Sequence, residues 1–318
     1  MQSQNKVLKL QKDDRFEGFL LVRNASNRVG STGSPYLDMM LADNSGDINA
    51  KVWNTAETAP EGGSVIKLRA GVTEFNGRLQ LRVEKFRLAT EEDEVDLSLL
   101  VPCAPEKPEV MLKQVYDTIE AMQNDVLKKI VHSIIKQYED KLIYYPAAQS
   151  LHHAERSGLL NHTTSMLNVA KAIVTCYPFL DEDLLYSGII LHDIGKILEL
   201  NSDNFGNVSD YTKDGLLLGH LVRGVSLIRD TARQLNIPED DEYTLLLEHM
   251  VLSHHGIAEY GSTRPPMFPE AEMLHLIDVM DARMNEMQGV LERTPRGVFS
   301  ERIWSLDRRI YHPNYTEK

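Results

Sequence analysis

Leu191-His192-Asp193-Ile194-Gly195-Lys196 sets a histidine beside a carboxylate at the end of an apolar run, 184–190, that reads as a buried helix. Burying both groups is costly unless something pairs them. A divalent ion is a natural partner, because neutral imidazole and carboxylate are both ligands for first-row metals. A carboxylate has two oxygens and can bridge two ions, so Asp193 is the candidate shared ligand of a two-metal centre. A single His-Asp pair is equally what a core histidine bonded to a capping carboxylate would look like.

The other histidines bear on that choice. Of the 11 in the chain, several fall on helical stretches facing an apolar stripe: His162 in Leu159-Leu160-Asn161-His162, His220 in Gly219-His220-Leu221, and His254-His255 ahead of Gly256. Asp278 follows in Leu276-Ile277-Asp278-Val279-Met280-Asp281. The order His, His-Asp, His, His-His, Asp resembles that of the two-metal HD-domain metallophosphohydrolases, from about 145 to 282. The resemblance implies that His162, His192, Asp193 and Asp278 hold one ion. It implies that Asp193, His220, His254 and His255 hold the other.

The elements that must position these residues are helical. Periodicity is helical from Val110 onward, over 110–133 with a continuation to 145, then 161–177, 181–192, 214–235, 241–254 and 270–290. This half is expected to be all-α. The tail Arg293, Arg296, Arg302, Arg308 and Arg309 is a candidate border of a nucleic-acid path, but it alternates with Glu292, Glu301 and Asp307, so an exposed helix with ion pairs is the preferred reading.

Before it the pattern is different. Phe16-Leu20-Val22, Leu37-Met39-Leu41, Ile48-Ala50-Val52, Leu68-Ala70-Val72 and Leu79-Leu81-Val83 alternate with polar residues, separated by turn signals at 30–35, 44–47, 60–63 and 76–77. Five strands in so short a stretch suit a small closed barrel of OB-fold type. The expected fold is therefore multidomain: an all-β OB-fold at 1–90, a charged and proline-punctuated linker at 91–108, and an all-α HD-type domain at 109–318. Lys51 and Trp53 share the outward face of the third strand, and Lys67, Arg69 and Arg82 lie outward on later strands. Aromatic faces stack bases while cations follow the phosphates, so these five are the candidate nucleic-acid contacts. A mildly basic barrel with an edge tryptophan remains the alternative.

Composition sets outer limits. The net charge of −13 divides into +3 for residues 1–90 and −16 for the remainder. It neither supports nor excludes a phosphate-rich ligand. No apolar run suits a bilayer, the first residues lack a signal peptide's apolar core, and Cys103 and Cys176 have no metal spacing, so a cytoplasmic protein with free thiols and no membrane partner is expected.

An OB-like barrel before this HD pattern, with Pro146-Ala147-Ala148 and His152-His153-Ala154 ahead of the first ligand, resembles the YhaM-type 3′–5′ exoribonucleases of bacteria across nearly the whole chain. The resemblance implies a metal-dependent exonuclease acting on single-stranded RNA. RNA against DNA stays open, as does assembly into a homo-oligomer. A ligand set without thiolate suits two divalent ions such as Mn²⁺ or Fe²⁺. Asp193 and Lys196 are the candidate catalytic residues, Lys196 as a point charge for a phosphate oxygen. Asp281 is a candidate for orienting a ligand histidine, and His152 and His153 for touching phosphate or closing a loop. Two competing readings are a phosphohydrolase of a nucleotide or cyclic dinucleotide, and a nucleic-acid-binding module with a structural metal.

Overall fold

The alternation in the N-terminal stretch closes a barrel. In this computed structural model, which describes residues 6–30, 33–90, 92–148, 153, 155–257 and 261–315, the chain divides into two units, Met1–Cys103 and Ala104–Lys318. The first holds β1 (Arg15–Val29), β2 (Pro35–Asp43), β3 (Gly46–Trp53), β4 (Val65–Phe75) and β5 (Arg78–Leu88) in the closed order β1-β2-β3-β5-β4. Only β3 and β5 run parallel; the other neighbours are antiparallel. Strand β1 serves both edges, pairing β4 first and then β2, and its register slips between Val22 and Asn24, where a bulge bends it around the barrel.

Inward alternates build the core: Phe16, Leu20 and Val22 meet Leu37, Met39, Leu41, Ile48, Ala50, Ile66, Leu68, Ala70, Val72, Leu81 and Val83. Leu79, expected inward, is 37% exposed. The partner of β5 on the β3 side reaches only 80–82, so the end near the Asn76-Gly77 turn has no facing strand to bury it.

The stretch expected to be a linker is partly structured. Asp93 accepts from the Arg87 guanidinium at 2.6 Å and from Thr90 N–H at 2.9 Å, and Leu100 and Val101 are buried. Asn44 N–H donates to Leu99 O at 2.9 Å. The division into units falls at Cys103 and Ala104, inside that stretch. Glu91 lies outside the described residues, as do Ser31, Thr32, His152 and Ala154.

The second unit is helical: α1 (Pro108–Ala121), α2 (Asp125–Leu142), α3 (Gly158–Cys176), α4 (Glu182–Leu191), α5 (Lys196–Glu199), α6 (Lys213–Gln234), α7 (Glu242–Ser253) and α8 (Pro269–Arg293). The long helix expected over 110–133 is broken. Asn124 caps α2 by accepting from Val126 and Leu127 N–H, and Asp183 takes the N–H groups of Gln123 and Asn124 at 2.7 Å each. Asp181 and Asp241 cap α4 and α7 in the same way.

Two hairpins qualify the all-α reading: β6 (Leu200–Ser202) with β7 (Val208–Tyr211), and β8 (Phe299–Ile303) with β9 (Arg308–Tyr311). The second replaces the helix expected for the Arg-rich tail. Gly297, at φ +78°, turns the chain after α8, and His312 N–H donates to Val298 O at 3.0 Å. No helix among the described residues is long and apolar enough to cross a membrane.

Candidate metal centre

Helix α4 delivers His192 as its C-cap, and the chain turns so that Asp193 faces the middle of the unit. There Asp193 stands between two sets of side chains. Its Oδ2 is 3.3 Å from His192 Nε2 and 3.9 Å from His162 Nε2 of α3. Its Oδ1 is 3.5 Å from His220 Nε2 of α6 and 3.7 Å from His254 Nε2 at the end of α7. On the first side Asp278 Oδ1 of α8 is 3.3 Å from His162 Nε2. On the second, the His255 ring centroid is 4.3 Å from that of His254 and 5.1 Å from that of His220. All seven residues singled out as ligands therefore meet. His254 also groups with His192 and Asp278, so it stands where the two sides join.

Backbone geometry makes this approach feasible at two glycines. Gly195 packs against α6 so closely that an added Cβ would lie 2.1 Å from His220 O. Gly219, at φ +71°, kinks α6 immediately before His220 and turns that side chain toward Asp193.

The outer nitrogen of each principal histidine is taken. His192 Nδ1 donates to Ile189 O and His254 Nδ1 to Val251 O, both at 2.8 Å. His162 Nδ1 meets Asp281 Oδ2 at 2.7 Å, and His220 Nδ1 meets Glu199 Oε2 at 3.0 Å. With Nδ1 turned outward, the Nε2 atoms converge on Asp193, which is the orientation that metal ligation requires. Asp193 Oδ1, His220 Nε2 and His254 Nε2 are buried acceptors without a hydrogen-bond partner among the described residues. Such a group is costly unless a cation joins it, so the donor set fits a divalent ion.

Electrostatics agree. Burial alone would raise the Asp193 carboxyl, but Lys196, His192 and His220 outweigh it and hold the group well below the usual carboxylate range. Burial would likewise lower Lys196, yet Asp193, 2.6 Å from Nζ, raises it, so the ammonium keeps its proton. Burial holds His254 neutral, well below the ordinary histidine range.

Three supporting contacts were differently legible in the sequence. Asp281, expected beside a candidate ligand histidine, meets His162 Nδ1, and it also takes His153 Nε2 at 2.9 Å and the Ser165 hydroxyl. His153 is thus buried and tied to the same carboxylate as His162. Glu199 was not singled out at all; it receives both Nδ1–H and, at 3.2 Å, the backbone N–H of His220. Nothing local marks it; the only signal in the sequence is that each candidate ligand histidine needs an acceptor for its second nitrogen. Glu199→Ala is expected to weaken divalent-ion binding on the His220 side by about 10–100-fold. A calorimetric titration matching the wild type would mean that Glu199 has no orienting role.

The barrel residues are placed less evenly. Lys51, Trp53 and Arg82 line one cleft of about 500 Å³, with Thr73 and Gln80. Trp53 faces outward, 47% exposed, with its ring stacked on Tyr36 at 4.8 Å, while Lys51 Nζ lies 5.0 Å from the Tyr36 centroid and 3.2 Å from Asp38. Lys67 and Arg69 do not join them. Lys67 lies 3.8 Å from Asp93, and Arg69 pairs with Glu17 at 3.1 Å.

Comparison with known proteins adds a family. The HD domain model matches residues 159–283. The curated 3′-5′ exoribonuclease YhaM of Geobacillus sp. (strain WCH70) is 42% identical over 305 residues, covering 94% of this chain and 92% of that protein. Two solved structures are each 16% identical at a TM-score of 0.24. The second OB-fold domain of replication protein A from Methanococcus maripaludis covers 30% of this chain and 100% of its own. A murine DNA binding protein bound with double-stranded DNA covers 28% and 49%.

Proposed function

The chain belongs to the YhaM-type 3′–5′ exoribonucleases, and from that premise we propose that it shortens single-stranded RNA from the 3′ end by phosphodiester hydrolysis at a two-metal centre. One observation carries the mechanism: the two oxygens of Asp193 face two separate histidine sets. His162, His192, Asp193 and Asp278 would hold one divalent ion, and Asp193, His220, His254 and His255 the other. A pair of ions so held supplies Lewis-acid polarisation of the phosphoryl group and activates water at neutral pH.

The chain's own groups do the rest. Asp193 stays ionised throughout, and its rigid place between the histidine sets fixes the spacing of both sites. Lys196 carries a retained proton on the wall of the same cleft, where it serves as a point-charge donor to a non-bridging phosphate oxygen. Glu199 and Asp281 keep His220 and His162 turned inward. The absence of thiolate and the mixture of imidazole and carboxylate suit manganese or iron among the first-row ions.

In the barrel, Trp53 and Arg82 offer a base-stacking face and a phosphate cation in one cleft. Trp53→Ala should reduce single-strand affinity by about 1–3 kcal/mol. Filter binding and a thermal melt read together check this. Unchanged affinity with a lowered Tm would reassign Trp53 to packing on Tyr36.

The reading as a whole is tested with RNA and DNA single strands labelled at the 5′ end, with and without Mn²⁺. Progressive shortening of RNA that requires the metal is expected. Intact RNA, alongside turnover of cyclic or free nucleotides, would overturn the exonuclease reading.

A further inference from the structure

One wall of the metal cleft is formed by residues outside the candidate ligand set. Ser305 and Leu306, in the turn of the β8–β9 hairpin, line the same cleft of about 600 Å³ as Asp193, Lys196, His220, His255 and Asp278. That turn is braced. Arg302 pairs with Asp307 across it, and the Ser305 hydroxyl donates to Glu286 of α8. Immediately before these lining residues stands Trp304, 91% exposed and the most exposed large apolar side chain among the described residues. An indole on a braced turn, with neither face covered, forgoes the burial that its area would otherwise contribute. Arg283 of α8 lines the cleft as well, and no carboxylate among the described residues pairs with it.

We propose that Trp304 is a specificity-determining residue of the nuclease site. It stacks an unpaired base of the RNA strand upstream of the scissile bond, and Arg283 takes a backbone phosphate between that base and the metal centre. The inference rests on the exonuclease reading and deepens it. Trp304 is not among the residues that line the cleft but adjoins two that do, so the base it meets lies at the rim, outside the reacting position. A ring face accepts any base, which suits an enzyme that must advance along every sequence. A paired base offers its faces only to its neighbours in the stack, so the same contact selects single strands over duplex.

The chain has two tryptophans, Trp53 and Trp304, so Trp53→Phe leaves Trp304 as the sole indole. Titrating that variant with single-stranded oligoadenylate in EDTA, which prevents hydrolysis, should quench its emission saturably, whereas blunt duplex RNA should not. In parallel, Trp304→Ala should raise KM for single-stranded RNA by on the order of ten- to a hundredfold, with kcat largely kept. Trp304→Phe should recover most of the loss. Wild-type cleavage of RNA with no quench and an unaltered KM in Trp304→Ala would overturn the inference and leave the exonuclease reading standing. Should the wild type fail to cut RNA, that reading falls, and the quench alone decides Trp304: present, it upholds stacking; absent, it overturns it. An unquenched Trp304 whose replacement changes the sedimentation coefficient would assign the ring to a contact between copies, also overturning the inference.

Discussion

Asp193→Asn is expected to abolish hydrolysis while the helical unit stays folded. The replacement keeps the shape of the side chain and removes the charge that both histidine sets face, at 3.3 Å on one side and 3.5 Å on the other. An amide presents a lone-pair oxygen to one set and an N–H to the other, so a bridge between two ions is lost. Metal stabilisation of charge in the transition state amounts to several kcal/mol, which puts the fall in kcat at roughly a thousandfold or more. Bound metal, measured by elemental analysis, should fall with it. Lys196 loses its 2.6 Å partner in the same variant, so a circular dichroism melt in the presence of metal is needed to show that the fold persists. Near-wild-type turnover in a folded Asp193→Asn protein would overturn the assignment of Asp193 as the shared ligand.

Stripping divalent ions should both silence the enzyme and soften the helical unit. The orphaned acceptors on Asp193, His220 and His254 sit among buried residues of α4, α6 and α7, so an ion held there ties these helices together. At an ion concentration of about 100 times Kd, linkage contributes about 2.7 kcal/mol. In a unit of this size that corresponds to a Tm shift of roughly 5–10 °C between stripped and reloaded protein. Uptake should also release a proton. Burial would lower His162, but its hydrogen bonds to Asp278 and Asp281 prevail and push it up to about 9. Below that value the ion must displace the proton on Nε2, so apparent metal affinity should rise with pH toward about 9 and level off beyond it. Calorimetry in buffers of different ionisation enthalpy reads the proton directly. A Tm indifferent to chelation would mean that the acceptors are satisfied in another way.

The barrel was legible because strand alternation is local: each inward residue is announced by its neighbours two positions away. Leu79 broke the pattern because burial also needs a facing strand, and β5 meets β3 only over 80–82. The split between α1 and α2 was written in Asn124, a cap within an apolar rhythm that would otherwise run on. The Arg-rich tail misled for the opposite reason. Alternating charge fits an exposed helix and an exposed hairpin alike, and only the turn at Gly297 and its bond partner 15 residues on decide between them.

The candidate ligands, their order along the chain and the two kinds of periodicity were readable from the sequence, since residue type and local spacing are carried by every short segment. Tertiary structure decided what depends on distant partners. It decided which oxygen of Asp193 faces which histidines, and which nitrogen of each ring is turned inward, through acceptors such as Asp281, 119 positions from His162. It also neutralised Lys67 and Arg69 through Asp93 and Glu17, and set the turn of a C-terminal hairpin against the metal cleft. Hydrogen bonds and ion pairs act over about 3 Å, a distance that folding sets and chain position does not.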